Sequence, residues 1–195
     1  MNKVSITKRT LAYLIDFLIL GIIISTLICI FPTKNTNEIT NNIAQIGEQV
    51  LQNKINLITY LNNYSILINK YDKLIILETI FNCIFTIILY VIIPFLTNGS
   101  SIGKYILKIK IVKKNKQKAT LLDYFNRAVI INFLGIILVT LMTVYILPPN
   151  IYLLVVSIFS LLEISLVIIN AFMILYRQDQ KGINDILTNT IVINK

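Results

Sequence analysis

The sequence predicts an all-α membrane protein: four transmembrane helices, both termini cytoplasmic, a helical loop outside, and a small cytoplasmic β-hairpin or three-stranded sheet. Three observations predict it. Of 195 residues, 56% are hydrophobic and only 14% charged, against about 45–50% and about 25% in soluble domains. The apolar residues are gathered into four runs, each long enough for the roughly 20 helical residues that cross the hydrocarbon layer. Lys and Arg are concentrated in alternate connections between those runs.

The four runs are residues 11–31, 74–96, 128–147 and 151–176. The first is broken only by Asp16. The second carries Glu78 near its start, the third has no charge, and the fourth has Glu163 near its middle. The fourth would be about 39 Å long as a helix, so it must tilt or emerge on one side. Unbroken apolar runs specify helices, because barrel strands alternate over about 10 residues. The first run exceeds a secretory apolar region and passes into Phe31-Pro32-Thr33, which reads as a retained helix and not a cleaved signal.

Orientation follows from the basic residues. The leader has Lys3, Lys8 and Arg9. The segment 97–127 has Lys104, Lys108, Lys110, Lys113, Lys114, Lys116, Lys118 and Arg127 against Asp123 alone. The loop 32–73 balances Lys34, Lys54, Lys70 and Lys73 with Glu38, Glu48 and Asp72, and Pro148-Pro149-Asn150 is uncharged. The tail, 177–195, has Arg177, Lys181 and Lys195. The net charge of +9 therefore reads as a positive-inside bias facing the lipid bilayer, and no nucleic-acid partner is needed.

In the outer loop, Ile39, Ile43, Ile46 and Val50 have helical spacing. Ile55, Ile58, Leu61 and Ile68 form a second pattern, interrupted by Asn62-Asn63. One or two external helices follow, read as a solvated cap or as a lid or docking surface. In the basic segment, Asn98-Gly99-Ser100-Ser101-Ile102-Gly103-Lys104 suggests a P-loop but is one residue short between glycines, and Tyr105 replaces the Ser or Thr. Leu107, Ile109 and Ile111 have a strand period. Residues 113–117 can turn and 118–120 return. Thr120 and Asp123 form a capping box before the third helix. The tail residues 190–193 are a second β-branched run. An exposed hairpin alone is marginal, so this tail strand would reinforce it.

Ionisable groups in membrane helices cost a few kcal/mol on insertion scales. Arg9, Ala12 and Asp16 share one helical arc, and Arg127 or Arg177 lies at a depth where it can neutralise Asp16. Glu78 and Asn82 are an i, i+4 pair. Ser160, Glu163, Val167 and Asn170 share an arc on the fourth helix, and Asn132 lies about one turn into the third. These groups either hold the bundle together, at about 0.6–2 kcal/mol each, or form a proton or cation path. Glu163 has no Lys or Arg at its depth. The chain has no His, which excludes His-based nucleophilic chemistry and His-containing metal sites. Cys29 and Cys83 lack metal spacing. No enzymatic activity and no cofactor are expected.

Three segments together resemble the RDD family of small bacterial membrane proteins. They are Lys8-Arg9-Thr10-Leu11-Ala12-Tyr13-Leu14-Ile15-Asp16, the segment from Ser101-Ile102-Gly103-Lys104 through Val112, and the closing segment from Asp179 through Asp185 to Val192. Asn184 stands where that family often has His, and Asn189 where it often has Gly. The resemblance implies a multi-pass protein of the bacterial plasma membrane and makes Arg9, Asp16, Gly103, Lys104 and Asp185 the motif residues. Some members are associated with sodium or sodium/proton exchange. Two functions are therefore carried forward. One is a cation/proton exchange or other transport component for Na⁺, K⁺ or H⁺, with Glu163, Glu78, Asn82 and Asn170 along its path and Asp16 as a further carrier. The other is a non-transporting subunit or scaffold that binds a partner protein through its outer loop or cytoplasmic face. In either case a homo-oligomer or a membrane-protein partner would complete the narrow bundle.

Overall fold

The structure is a computed structural model that describes residues 4–31 and 36–195. Lys3, Lys34 and the Pro32-Thr33 exit from the first apolar run lie outside the described residues. Helix α1 (Ile6–Ile30) starts with Ser5, whose side chain accepts a hydrogen bond from the Lys8 amide at 3.4 Å, so Arg9 lies on its first turns. The second run forms α4 (Ile76–Ile87), a π-helical turn (Ile88–Ile92) and α5 (Ile93–Leu96). Pro94 explains the π turn. Its ring would collide with the carbonyl of Tyr90 in a regular helix, and the wider turn removes that collision. The Ile93 amide bonds to the Ile88 carbonyl instead.

The fourth run is α9 (Pro149–Tyr176), 28 residues and about 42 Å long. With α1 and the α4–α5 rod it makes three helices long and apolar enough to span a membrane. Leu14, Phe17, Leu18, Leu161 and Leu162 are about half exposed on their outer faces. Apolar surface that continuous marks a membrane protein.

The third run departs from the expected uninterrupted helix. It is split into α7 (Leu121–Ile131) and α8 (Leu134–Thr143), bent by 82°. Phe133 adopts φ +57°, a left-handed conformation that ends one hydrogen-bond ladder and begins another. Counted as one bent span, the pair brings the crossings to four. The Thr120–Asp123 capping box is present: the Asp123 carboxylate accepts from the Thr120 amide at 2.7 Å.

The segment between the first two apolar runs, expected outside, holds two helices among the described residues, α2 (Asn37–Leu51) and α3 (Leu57–Leu74). Ile39 is buried, as the amphipathic pattern requires. The Asn62-Asn63 pair does not break α3. Asn62 accepts from Asn150 at 3.2 Å, Asn69 donates to the Val144 carbonyl at 3.0 Å, and the Tyr152 hydroxyl donates to Asp72 at 2.6 Å. These bonds fasten α3 across the α8–α9 corner. The cap is therefore docked on the bundle.

At the opposite end lie α6 (Ile102–Ile106), β1 (Ile109–Lys113), α10 (Ile183–Leu187) and β2 (Thr190–Asn194). The sheet has two strands, β1 antiparallel to β2, with Ile111 opposite Val192. It is neither the expected local hairpin nor a three-stranded sheet. Residues 113–117 do turn, with the Lys113 amide bonded to the Gln117 carbonyl at 3.0 Å. The chain then enters the Thr120 cap instead of returning as a strand, and the tail takes the free edge. Gly99, at φ +111°, covers the other edge of β1: its carbonyl accepts from the Ile111 amide at 2.8 Å, and a Cβ there would strike the Ile111 carbonyl oxygen.

Asn189 turns the chain into β2 at φ +51°. Asn tolerates this conformation and Gly prefers it. Asn189→Gly is expected to leave the thermal unfolding midpoint in detergent unchanged or raised. Asn189→Val should cost about 1–2 kcal/mol. Equal midpoints for the two would show that this turn does not constrain the fold.

Candidate functional site

The sheet end gathers the charged residues. Asp16 lies one helical turn beyond Ala12, and both are fully buried. Because Ala12 is small, α6 can lie directly on α1. A Cβ at Gly103 would strike the Ala12 carbonyl oxygen, so only glycine permits this approach. The Asp16 carboxylate then accepts from the Gly103 amide at 2.7 Å and from the Ser101 hydroxyl at 2.5 Å. Asp16 is thus not held by Arg127 or Arg177, as sequence spacing suggested. The start of α6 comes closer than either guanidinium. Arg177 is on the surface, paired with Asp179 at 3.0 Å, and holds that carboxyl well below its usual range.

The arginines Arg9 and Arg127 converge on Asp185 instead. Arg127 reaches one carboxylate oxygen at 2.6 Å and Arg9 the other at 3.3 Å. The Gly182 amide donates to the same carboxylate at 3.2 Å. Arg127 also donates to the Thr190 hydroxyl at 2.6 Å, and Arg9 to the Gln180 carbonyl at 2.9 Å. One buried aspartate therefore joins α1, α7, α10 and β2. Asn184, next to it, is also buried and accepts from the Asp185 amide at 2.9 Å.

Between these groups lies a cavity of about 300 Å³. Arg9, Lys104, Arg127 and Asp185 line it, with Asn132 and Asn170 also on its wall. Burial lowers the Lys104 ammonium from its ordinary value to about 8. Asp16 and Asp185 oppose that fall and Arg127 adds to it. The remaining accessible surface of Lys104 is intermediate, as expected of a side chain enclosed by protein but facing a cavity.

Glu163 lies elsewhere on α9. It is 5% exposed and has no basic partner among the described residues. It faces the first amides of α8, those of Gly135 and Ile136; a Cβ at Gly135 would strike its carboxylate. Neither oxygen has a partner of full hydrogen-bond geometry. The positive end of the α8 dipole is thus the compensation this carboxylate finds. Val167, one turn along α9, and Asn170 line the cavity. Glu78 and Asn82 do not line it. Both are half-buried on α4, and Asn82 accepts from Thr86 at 3.3 Å. The four residues placed along a path therefore separate into Glu163 with Asn170, near the cavity, and Glu78 with Asn82, away from it.

Sequence reasoning missed Ser101 and Thr190. Ser101 stands in the N-cap position before Ile102-Gly103, the available signal for a serine near helix amides. Nothing local marks Thr190 as a partner of Arg127. Among the described residues no group of three or more Cys, Asp or Glu side chains could hold a metal ion.

Comparison with known proteins agrees with the motif geometry. The model of the RDD family matches residues 3–189, nearly the whole chain, and the chain belongs to that family. No curated protein and no solved structure matched it.

Two outcomes follow for thermal unfolding in detergent. Asp16→Ala leaves the Gly103 amide and Ser101 without their acceptor and should cost about 2–3 kcal/mol. Asp16→Asn, which keeps an acceptor oxygen, should cost less, and equal small effects would rule out a structural role for this contact. Asp185→Ala strands the buried guanidinium of Arg127 and the half-buried one of Arg9 and should cost about 3–5 kcal/mol. Loss below about 1 kcal/mol would show that the pairs behave as surface ion pairs.

Proposed function

We propose that this RDD-family protein is a transport component of the bacterial plasma membrane that exchanges Na⁺ or K⁺ for protons, with both chain ends in the cytoplasm. Glu163 is the carrier in this reading. The observation that carries it is a buried carboxylate with no basic partner, facing the N-terminus of a half-helix. Transport sites are commonly built at such breaks, where half-helix ends and carboxylates meet a cavity. Asn132 and Asn170 supply side-chain oxygens on the wall of the cavity, which Val167, one turn along α9 from Glu163, also lines. The orientation is supported by the basic residues of 97–127, which lie on or near the sheet, and by the contact of Arg9 with Asp185, which brings the start of α1 to the tail. Asp16 is tied to α6 and serves here as a structural residue. No catalytic chemistry is assigned to any of these side chains.

The alternative is a non-transporting subunit that binds a partner protein through the outer helices or the basic face. The polar side chains that α3 buries, Ser65 and Asn69, are spent on the α8–α9 corner, which favours a cap over a docking surface. A homo-oligomer would widen the narrow bundle in either case.

Purified protein in liposomes, with internal pH followed after a Na⁺ or K⁺ gradient is applied, separates the two. Cation-dependent proton flux should fall roughly tenfold or more in Glu163→Gln, about 1.4 kcal/mol or more in the barrier, and be partly kept in Glu163→Asp. Unchanged flux in Glu163→Gln removes Glu163 as carrier. Absence of flux in the wild type, with a stoichiometric co-purifying protein, supports the subunit reading.

A further inference from the structure

The charged cavity has features that ion exchange does not use. Its basic side chains Arg9, Lys104 and Arg127 face the carboxylates Asp16 and Asp185, which leaves one positive charge in excess. Nε of Arg9 and Oδ1 of Asn170 are buried without a partner and have almost no surface open to the cavity, Oδ1 lying against Gly182. Among the described residues no hydrogen bond or ion pair engages the Lys104 ammonium. The excess charge and the unengaged ammonium of Lys104 on the cavity wall together describe a ligand with one negative charge.

The position of the cavity indicates where such a ligand comes from. One wall is α1 and the other α9, with Thr10 and Tyr13 facing Ala171, Ile174 and Leu175. α1 packs on α4 and α6, whereas α9 packs on α3, α7, α8 and α10. The cavity thus fills the gap between two membrane-spanning helices. Tyr13 is 38% and Leu175 56% exposed at its rim, so the gap opens sideways, toward lipid. At about 300 Å³ it is at the small end of ligand sites, which run from about 300 to 1,000 Å³. That suits a headgroup and not a whole lipid.

We propose that this cavity seats the phosphodiester headgroup of an anionic phospholipid of the phosphatidylglycerol type, entering between α1 and α9, with Lys104 on the phosphate. Basic pockets between membrane helices on the cytoplasmic side take anionic headgroups for the same electrostatic reason. The assignment does not depend on transport, because binding alone reads it. Raising the pH tests it independently. Lys104 titrates near 8 while facing Asp16 on α1, Arg127 on α7 and Asp185 on α10. Its neutralisation removes the excess charge, and a bound phosphate would shift that titration upward.

The test uses the full chain, purified in neutral detergent, with native mass spectrometry and thermal unfolding as readouts. Phosphatidylglycerol should stay bound and raise the unfolding midpoint by about 5 °C. Phosphatidylcholine and inorganic phosphate at the same concentration should do neither. Equal retention of phosphatidylcholine, or an equal shift with inorganic phosphate, overturns the lipid assignment. Lys104→Gln should weaken phosphatidylglycerol retention roughly tenfold, Lys104→Arg should keep most of it, and Lys118→Gln on the exposed turn should leave it unchanged. A Lys118→Gln effect as large as that of Lys104→Gln would mean general surface attraction and overturn the site. If Lys104→Gln does not fold, the wild type still decides. Retention should fall between about pH 7 and about pH 9, and a flat profile rejects the role of Lys104.

Discussion

The ion pairs of Asp185 with Arg9 and Arg127 are the contact on which the sheet end of this molecule depends. A guanidinium buried in a helical bundle costs several kcal/mol unless it is compensated. Here two guanidinium groups from helices more than a hundred residues apart share one carboxylate, at 3.3 Å and 2.6 Å. The aspartate sits on a short helix of the tail, so satisfying it folds the tail back under the bundle. Once there, the tail lays β2 along β1, and Thr190 takes the remaining Arg127 bond. Sheet, tail and the starts of two bundle helices are thus consequences of one electrostatic requirement.

Asp16 works differently, although it belongs to the same motif. Its partners are an amide and a hydroxyl, reached because Ala12 and Gly103 let two backbones touch. Glycine there is a steric requirement for an electrostatic contact. The neighbouring Lys104 is lowered to about 8 by burial and still carries its charge at neutral pH. The cavity between these groups has mostly apolar walls, with its charge gathered at Arg9, Lys104, Arg127 and Asp185.

Away from this end the helices turn large apolar side chains outward, and the hydrophobic effect supplies little force between helices in lipid. The polar contacts that remain are therefore informative. At the far end they fasten α3 over the α8–α9 corner. In the middle they place Glu163 at the α7–α8 break, where left-handed Phe133 restarts the helix and exposes amides to the carboxylate.

Membership of the membrane class, the spans near 11–31, 74–96 and 151–176, the amphipathic α2 and the Thr120–Asp123 cap were legible in the sequence, because each depends on periodicity or spacing within about twenty residues. The motif residues were legible too, but not their pairing. Arg127 could be placed near the arginine–aspartate cluster by depth, yet which aspartate it meets depends on how α6 and α10 dock, and no local pattern contains that. The same holds for the sheet, where 118–120 had the right position for a return strand and the distant tail had the stronger β-branched run. The break at Phe133 was hidden because its flanks are uniformly apolar, and hydropathy is blind to a single left-handed residue. Only the packed structure decided that Glu163, which lacks a basic partner at its depth, faces the amides that this break sets free.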